Sequence, residues 1–220
     1  MIVEMVLSGF LFLFILILNL AMGALGYLME KDDYDPDIDL QKINKNPKKF
    51  KTSIMLALIE HGSVIALTIM LFIAFGPYNI ILGIVWTICR IAEGLIQFYN
   101  EPKYWRLINI AKQYSSVSES EKNSLSDLAR TIFKTKDIRF KFAMICWSIG
   151  TLAFSIVLVT YEVVPTIIGW LGIIASFLVG FGTVIKIVKP NSKDFTTVGG
   201  LSAILFEVII GGWLLFSPLV

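Results

Sequence analysis

The sequence predicts an all-α polytopic membrane protein: six transmembrane helices in a compact bundle, with a cytoplasmic amphipathic helical hairpin between spans three and four. Three observations carry this. Of 220 residues, 56% are apolar and only 16% charged, a balance outside that of ordinary globular domains. The apolar residues gather in runs of about twenty or more, the length a helix needs to cross the hydrocarbon core. Lys and Arg avoid every second connector between those runs. A transmembrane barrel would show ten-residue alternating segments, which are absent.

The spans are expected at about 4–28, 52–75, 78–100, 142–163, 166–188 and 197–218, in one domain covering 1–220. The first begins with acidic Glu4 in place of a basic n-region and outruns a signal-peptide core, so it is expected to stay in the mature chain. Its Asn19, Gly23 and Gly26 read as small residues for close helix approach. Gly76-Pro77 leaves room only for an antiparallel hairpin between spans two and three. Small residues at helical spacing in span five (Gly169, Gly172, Ser176, Gly180, Thr183) and span six (Gly200, Ala203, Gly211) again read as packing seams. Cys89 and Cys146 lie within spans and are expected to act as small apolar residues.

Net charge is +2, and its distribution sets the topology. Of 19 Lys and Arg, six fall at 31–51, nine at 103–141, three at 186–193, and the last is Arg90. The second and fourth connectors have none. The positive-inside rule therefore places connectors one, three and five in the cytoplasm and both termini outside a plasma membrane.

The first connector, EKDDYDPDIDLQKINKNPKKFK, alternates Asp but lacks the glycine and the closing Glu of a calcium loop. It reads as a solvated loop with a basic, headgroup-facing end. The long third connector, 101–141, carries Tyr104, Trp105 and Arg106 as an interfacial anchor. Its second piece places Leu125, Leu128, Ala129, Ile132 and Phe133 on one face over 124–136, with Ser124 and Asp127 spaced as a capping pair. Together these predict a surface hairpin that meets headgroups or a partner.

Span three, YNIILGIVWTICRIAEGLIQFYN, carries Arg90 and Glu93 near its middle. Steps of four and three collect Asn79, Gly83, Trp86, Arg90, Glu93, Gln97 and Asn100 on one stripe. Glu60 in span two and Glu207 in span six lie at similar depth, ~10–15 Å from the cytoplasmic ends at ~1.5 Å per residue. Four separate lipid-facing charges would each cost roughly 2.5–3.5 kcal/mol on insertion. The prediction is therefore a buried polar cluster of Glu60, Arg90, Glu93 and Glu207, with Asn19, His61, Trp86 and Gln97 around it. Three carboxylates against one guanidinium leave a surplus of −2, to be neutralised by a proton or a bound cation.

Several of these stretches carry a resemblance. NPKKFK before span two with Glu60 inside it, RIAEG at 90–94, Pro165 followed by GWLGIIA, and FEVIIGGWLL in span six resemble domain of unknown function 4386, a family of small prokaryotic multi-helix membrane proteins. The resemblance implies the fold and a polar core, and no activity. Function is expected to be binding or translocation of a proton, cation or small cationic ligand. The alternative is a non-catalytic structural or accessory subunit of a larger membrane complex. An enzyme is not expected: the single His61 excludes tri-histidine zinc sites, no Ser or Cys has a credible base, and no nucleotide-binding loop is present. No metal, cofactor or nucleic acid is expected. The expected partners are the lipid bilayer and either further copies of the chain or a membrane-complex subunit.

Overall fold

The computed structural model describes residues 2–27, 35–189 and 194–217, and among them every regular element is helical. The helices are α1 (Ile2–Ala24), α2 (Pro36–Lys45), α3 (Pro47–Phe75), α4 (Ile80–Phe98), α5 (Glu101–Tyr114), α6 (Glu119–Thr160), α7 (Thr166–Val188) and α8 (Asp194–Phe216), with a 3₁₀ turn at Gly76–Tyr78. Six of them, α1, α3, α4, α6, α7 and α8, are long and apolar enough to cross a membrane.

Those six form a closed ring in chain order. Each packs on its neighbours in sequence, and α8 returns to α1. Neighbouring axes ~8–10 Å apart put opposite members of such a ring ~16–20 Å apart, so its centre must be filled by large side chains or left open. The ring is closed where α1 crosses α8: a Cβ on Gly9 would lie 2.4 Å from the Leu215 backbone nitrogen. Only glycine allows that approach. On α7 the predicted seam is real, because Gly169 meets Val159 and Gly172 meets Ser155 and Phe206. Gly23 and Gly26 differ from expectation. A Cβ at either would meet nothing within 4 Å, and Gly26 instead takes φ +79° to end α1.

Half of the ring's centre is filled. Phe12, Leu67, Leu71, Trp86, Phe154 and Phe206 pack there, with Trp86 edge-on to Phe154 at 5.3 Å between centroids. A second apolar core lies beyond the ring's other end. Leu40 and Ile43 of α2, Tyr104 and Leu107 of α5, and Ala129 and Phe133 of α6 meet in it.

This second core revises several expectations about the connectors. Residues 36–45 are a helix, capped by the Asp35 carboxylate on the Asp37 and Ile38 amides at 3.1 and 3.2 Å, and not a solvated loop. Pro36 at the first helical position and acidic residues in the first turn are the local reason; the acidic residues 30–34 lie outside the described residues. Tyr104 is fully buried against Tyr27, Phe50 and Phe133 and is no interfacial anchor. The α5–α6 hairpin exists, but its second arm does not end before span four. At 42 residues and ~1.5 Å per residue, α6 is ~63 Å long, roughly twice the hydrocarbon thickness. The cap lies earlier than Ser124: Glu121 accepts from the Ser118 amide at 3.1 Å and from its hydroxyl at 2.8 Å. The face over 124–136 turns toward α2 and α5 of the same chain, with Ser126 donating to Asp37.

Two substitutions separate a face packed within the chain from one that meets headgroups. Phe133→Ala should cost ~3–5 kcal/mol by opening a cavity. Leu128→Asp, at a position 43% exposed, should change stability by no more than ~0.5 kcal/mol. Thermal unfolding in lipid nanodiscs measures both, and equal losses would refute the packing described.

Candidate functional site

Below the aromatic half, the ring encloses a cavity of about 580 Å³ to which all six membrane-span helices contribute. Its polar lining is Asn19 from α1, Tyr27 just beyond it, Glu60 from α3, Arg90, Glu93 and Gln97 from α4, Lys141 from α6, Thr183 from α7 and Glu207 from α8. The remaining lining is mainly aliphatic and aromatic, a composition suited to a small organic ligand. The four charges predicted to cluster thus share one space. Of the residues expected around them, Asn19 and Gln97 line it and His61 lies behind Glu60. Trp86 lies deeper, in the aromatic half and only 1% exposed.

Arg90 is the centre of the arrangement. Its Nη1 lies 2.7 Å from Glu93 Oε2, one helical turn along. Its stem lies on α6 at Gly150, where a Cβ would come within 2.9 Å of Arg90 Cγ. Its guanidinium carbon is 5.8 Å from the Trp147 ring centroid, within cation–π range. Trp147 also donates from Nε1 to Glu207 Oε1 at 3.2 Å. One indole therefore relates Arg90 on α4 to Glu207 on α8. A void of about 20 Å³ between Arg90, Glu207, Trp86, Thr68 and Thr151 joins this layer to the aromatic core; it has room for about one water.

A second polar layer, absent from the sequence expectation, adjoins Glu60. The His61 imidazole stands between two carboxylates, with Nδ1 2.5 Å from Glu60 Oε2 and Nε2 3.6 Å from Glu101 Oε1. The Tyr27 hydroxyl donates to the same Glu101 oxygen. Burial, and then the Glu101 carboxylate, hold the Tyr27 phenol well above its usual pKa, so it remains a donor. The Lys136 ammonium stands 3.5 Å from the Tyr27 ring centroid and 3.6 Å from that of Tyr104. Tyr27 reaches this layer because of how α1 ends. The Tyr27 amide bonds Met22 O at 3.0 Å and the Gly26 amide bonds Gly23 O at 2.9 Å, the Schellman pattern with glycine in the left-handed position. Gly26 is therefore a cap that aims Tyr27.

Sequence reasoning missed Tyr27, Glu101 and Lys136. Glu101-Pro102 does signal a helix start, but Glu101 and Tyr27 are 74 positions apart, and no local pattern pairs them. Among the described residues of both layers, four carboxylates (Glu60, Glu93, Glu101, Glu207) face two basic side chains (Arg90, Lys136). The formal sum is 2 − 4 = −2, or −1 with His61 as imidazolium. Asp137 and Lys141, paired at 2.7 Å, cancel.

The family described as domain of unknown function (DUF4386) matches residues 7–217, nearly the whole chain. Comparison with curated proteins and with solved structures finds no match.

Arg90→Ala removes the cation from a buried pair and should cost ~3–5 kcal/mol. Glu207→Gln keeps an acceptor for Trp147 and should cost about 1 kcal/mol or less. Gly150→Leu should approach the Arg90→Ala loss, because its side chain occupies the place of the Arg90 stem. Unfolding temperatures of the three variants in nanodiscs would contradict the arrangement if Glu207→Gln were the most damaging.

Proposed function

The chain belongs to the DUF4386 family, whose description assigns no activity, and from the geometry we propose that it is a membrane binding module for a small cationic ligand. One observation carries the reading: Glu60, Glu93 and Glu207 line a single 580 Å³ cavity with Arg90 as its partly offsetting cation. A guest bearing one positive charge relieves the surplus carboxylate charge without rearranging the Arg90–Glu93 pair. The aliphatic and aromatic lining favours an organic cation, such as a primary amine, over a hydrated metal ion. Translocation extends this reading. The aromatic half closes one side of the ring, so movement across the membrane requires Phe12, Trp86, Phe154 and Phe206 to repack.

An accessory-subunit role is supported less well. The apolar face on 124–136 that suggested partner docking is largely occupied within the chain by α2 and α5. Orientation is part of the proposal as well. The basic connectors adjoin the cavity end of the ring, so the positive-inside rule makes that end cytoplasmic, with both termini outside a plasma membrane. No step of this reading calls for an enzyme, metal or cofactor.

Butylamine added to the protein in phosphatidylcholine nanodiscs should raise its unfolding temperature, by about 1.4 kcal/mol of stabilisation at tenfold excess over Kd. Glu93→Gln and Glu207→Gln should each reduce that shift severalfold. An unchanged shift in both variants, or none in the wild type, removes the proposal. For orientation, single cysteines in place of Ser120 and Ser217, in a chain lacking Cys89 and Cys146, should react from opposite sides of sealed cells. Labelling of the Ser120→Cys chain from outside by an impermeant maleimide reverses the topology.

A further inference from the structure

The cavity is not equally enclosed all round. Of the residues lining it, those on α3, α4, α6 and α7 are buried or half-buried. The exposed ones all belong to α1 and α8: Leu20 at 66%, Ile204 at 44%, and the glycines Gly23 and Gly200. A Cβ built at Gly23 or Gly200 meets nothing within 4 Å, whereas the same two helices touch backbone to backbone at Gly9 and Leu215. The α1–α8 seam is thus tight at the aromatic end of the ring and open beside the cavity. Leu16, Leu20, Ala203 and Ile204 are apolar edges of that opening. They lie within helices long and apolar enough to cross a membrane, and in a bilayer such outward edges would face acyl chains.

From this we infer that the cavity opens sideways into one leaflet between α1 and α8, and that its ligand is a cationic amphiphile: an amine whose head reaches Glu207, Glu60 and Glu93 while its alkyl chain lies in the gap between Leu16, Leu20 and Ile204. The inference rests on the cationic-ligand reading and deepens it. A water-soluble cation needs only an aqueous mouth, and an apolar-edged gap into lipid offers it nothing. An amphiphile uses both parts, because its chain stays among apolar groups while its head exchanges headgroup water for carboxylates. Exposed glycines at the gap leave the space a chain requires, which side chains at Gly23 and Gly200 would fill.

The test uses the full chain in phosphatidylcholine nanodiscs and a dodecylamine carrying a diazirine near the middle of its chain. Photolysis should place cross-links on Leu16, Leu20 or Ile204, and a hundredfold excess of butylamine should suppress them at least fivefold. Gly200→Phe should lower the cross-linking yield at least fivefold at an unchanged unfolding temperature. If butylamine stabilises the protein but the cross-links fall only on outward residues such as Ile81 and Phe181, the lateral gap is overturned and the cation cavity stands. Undiminished cross-linking in a Gly200→Phe chain that melts like the wild type also overturns the gap. If butylamine neither stabilises nor competes, the cation reading fails and the inference with it.

Discussion

A ring of six helices has a centre that two facing layers of ordinary side chains cannot fill, and most of what is distinctive in this chain answers that constraint. On one half the answer is bulk. Phe12, Trp86, Phe154 and Phe206 extend inward from different helices and meet. On the other half the centre stays open, and at least one polar residue from each of the six spans lines it. The arrangement depends on ring closure, which rests on Gly9 meeting Gly211 and Leu215. Were α1 and α8 held apart there, the aromatic half would lose its wall and the charges their shelter.

Electrostatics then decides which side chains occupy the open half. An arginine facing lipid is costly, so Arg90 must find its counter-charge within the ring. Glu93 supplies it from the next turn of the same helix, at 2.7 Å. That pairing is local and survives small helix movements. Glu60 and Glu207 arrive from other helices, and their placement depends on the ring. Trp147 holds Glu207 through its indole N–H, and His61 holds Glu60 through Nδ1. Each carboxylate that reaches the cavity is therefore tied to a partner before any ligand is present, which fixes its position and limits what must reorganise on binding.

The six spans and the alignment of Glu60, Arg90, Glu93 and Glu207 were legible because both rest on periodicity and depth, properties of single helices. Glu93 could be assigned to Arg90 by spacing of three alone. What was hidden depends on the ends of helices and on distant pairs. Gly23 and Gly26 resemble a packing pair in sequence, yet one borders an opening and the other caps α1. The distinction lies in a backbone angle, φ +79° at Gly26, that composition does not reveal. Tyr104 beside Trp105 and Arg106 has the look of an interfacial belt, but Phe50 and Phe133 from other helices bury it. The continuity of α6 was obscured by its changing composition: charged for about its first six turns, it becomes apolar without a breaking residue between, and hydropathy marks a boundary where the backbone has none.

That continuity ties the two polar layers together mechanically. Lys136 and Trp147 are eleven residues apart on α6, close to three full turns, so they share a face ~16 Å apart along one helix. One enters the Tyr27–Glu101–His61 layer and the other the Arg90–Glu207 layer. Glu60, beside His61 and lining the cavity, joins the same layers from α3. A tilt of α6 against α3 would therefore change both sets of contacts at once, and so would a charge entering the cavity that drew Glu60 from His61. In a ring where, among the described residues, each helix packs extensively only on its two neighbours around the ring, such shared side chains are the means by which one side of the cavity registers a change on the other.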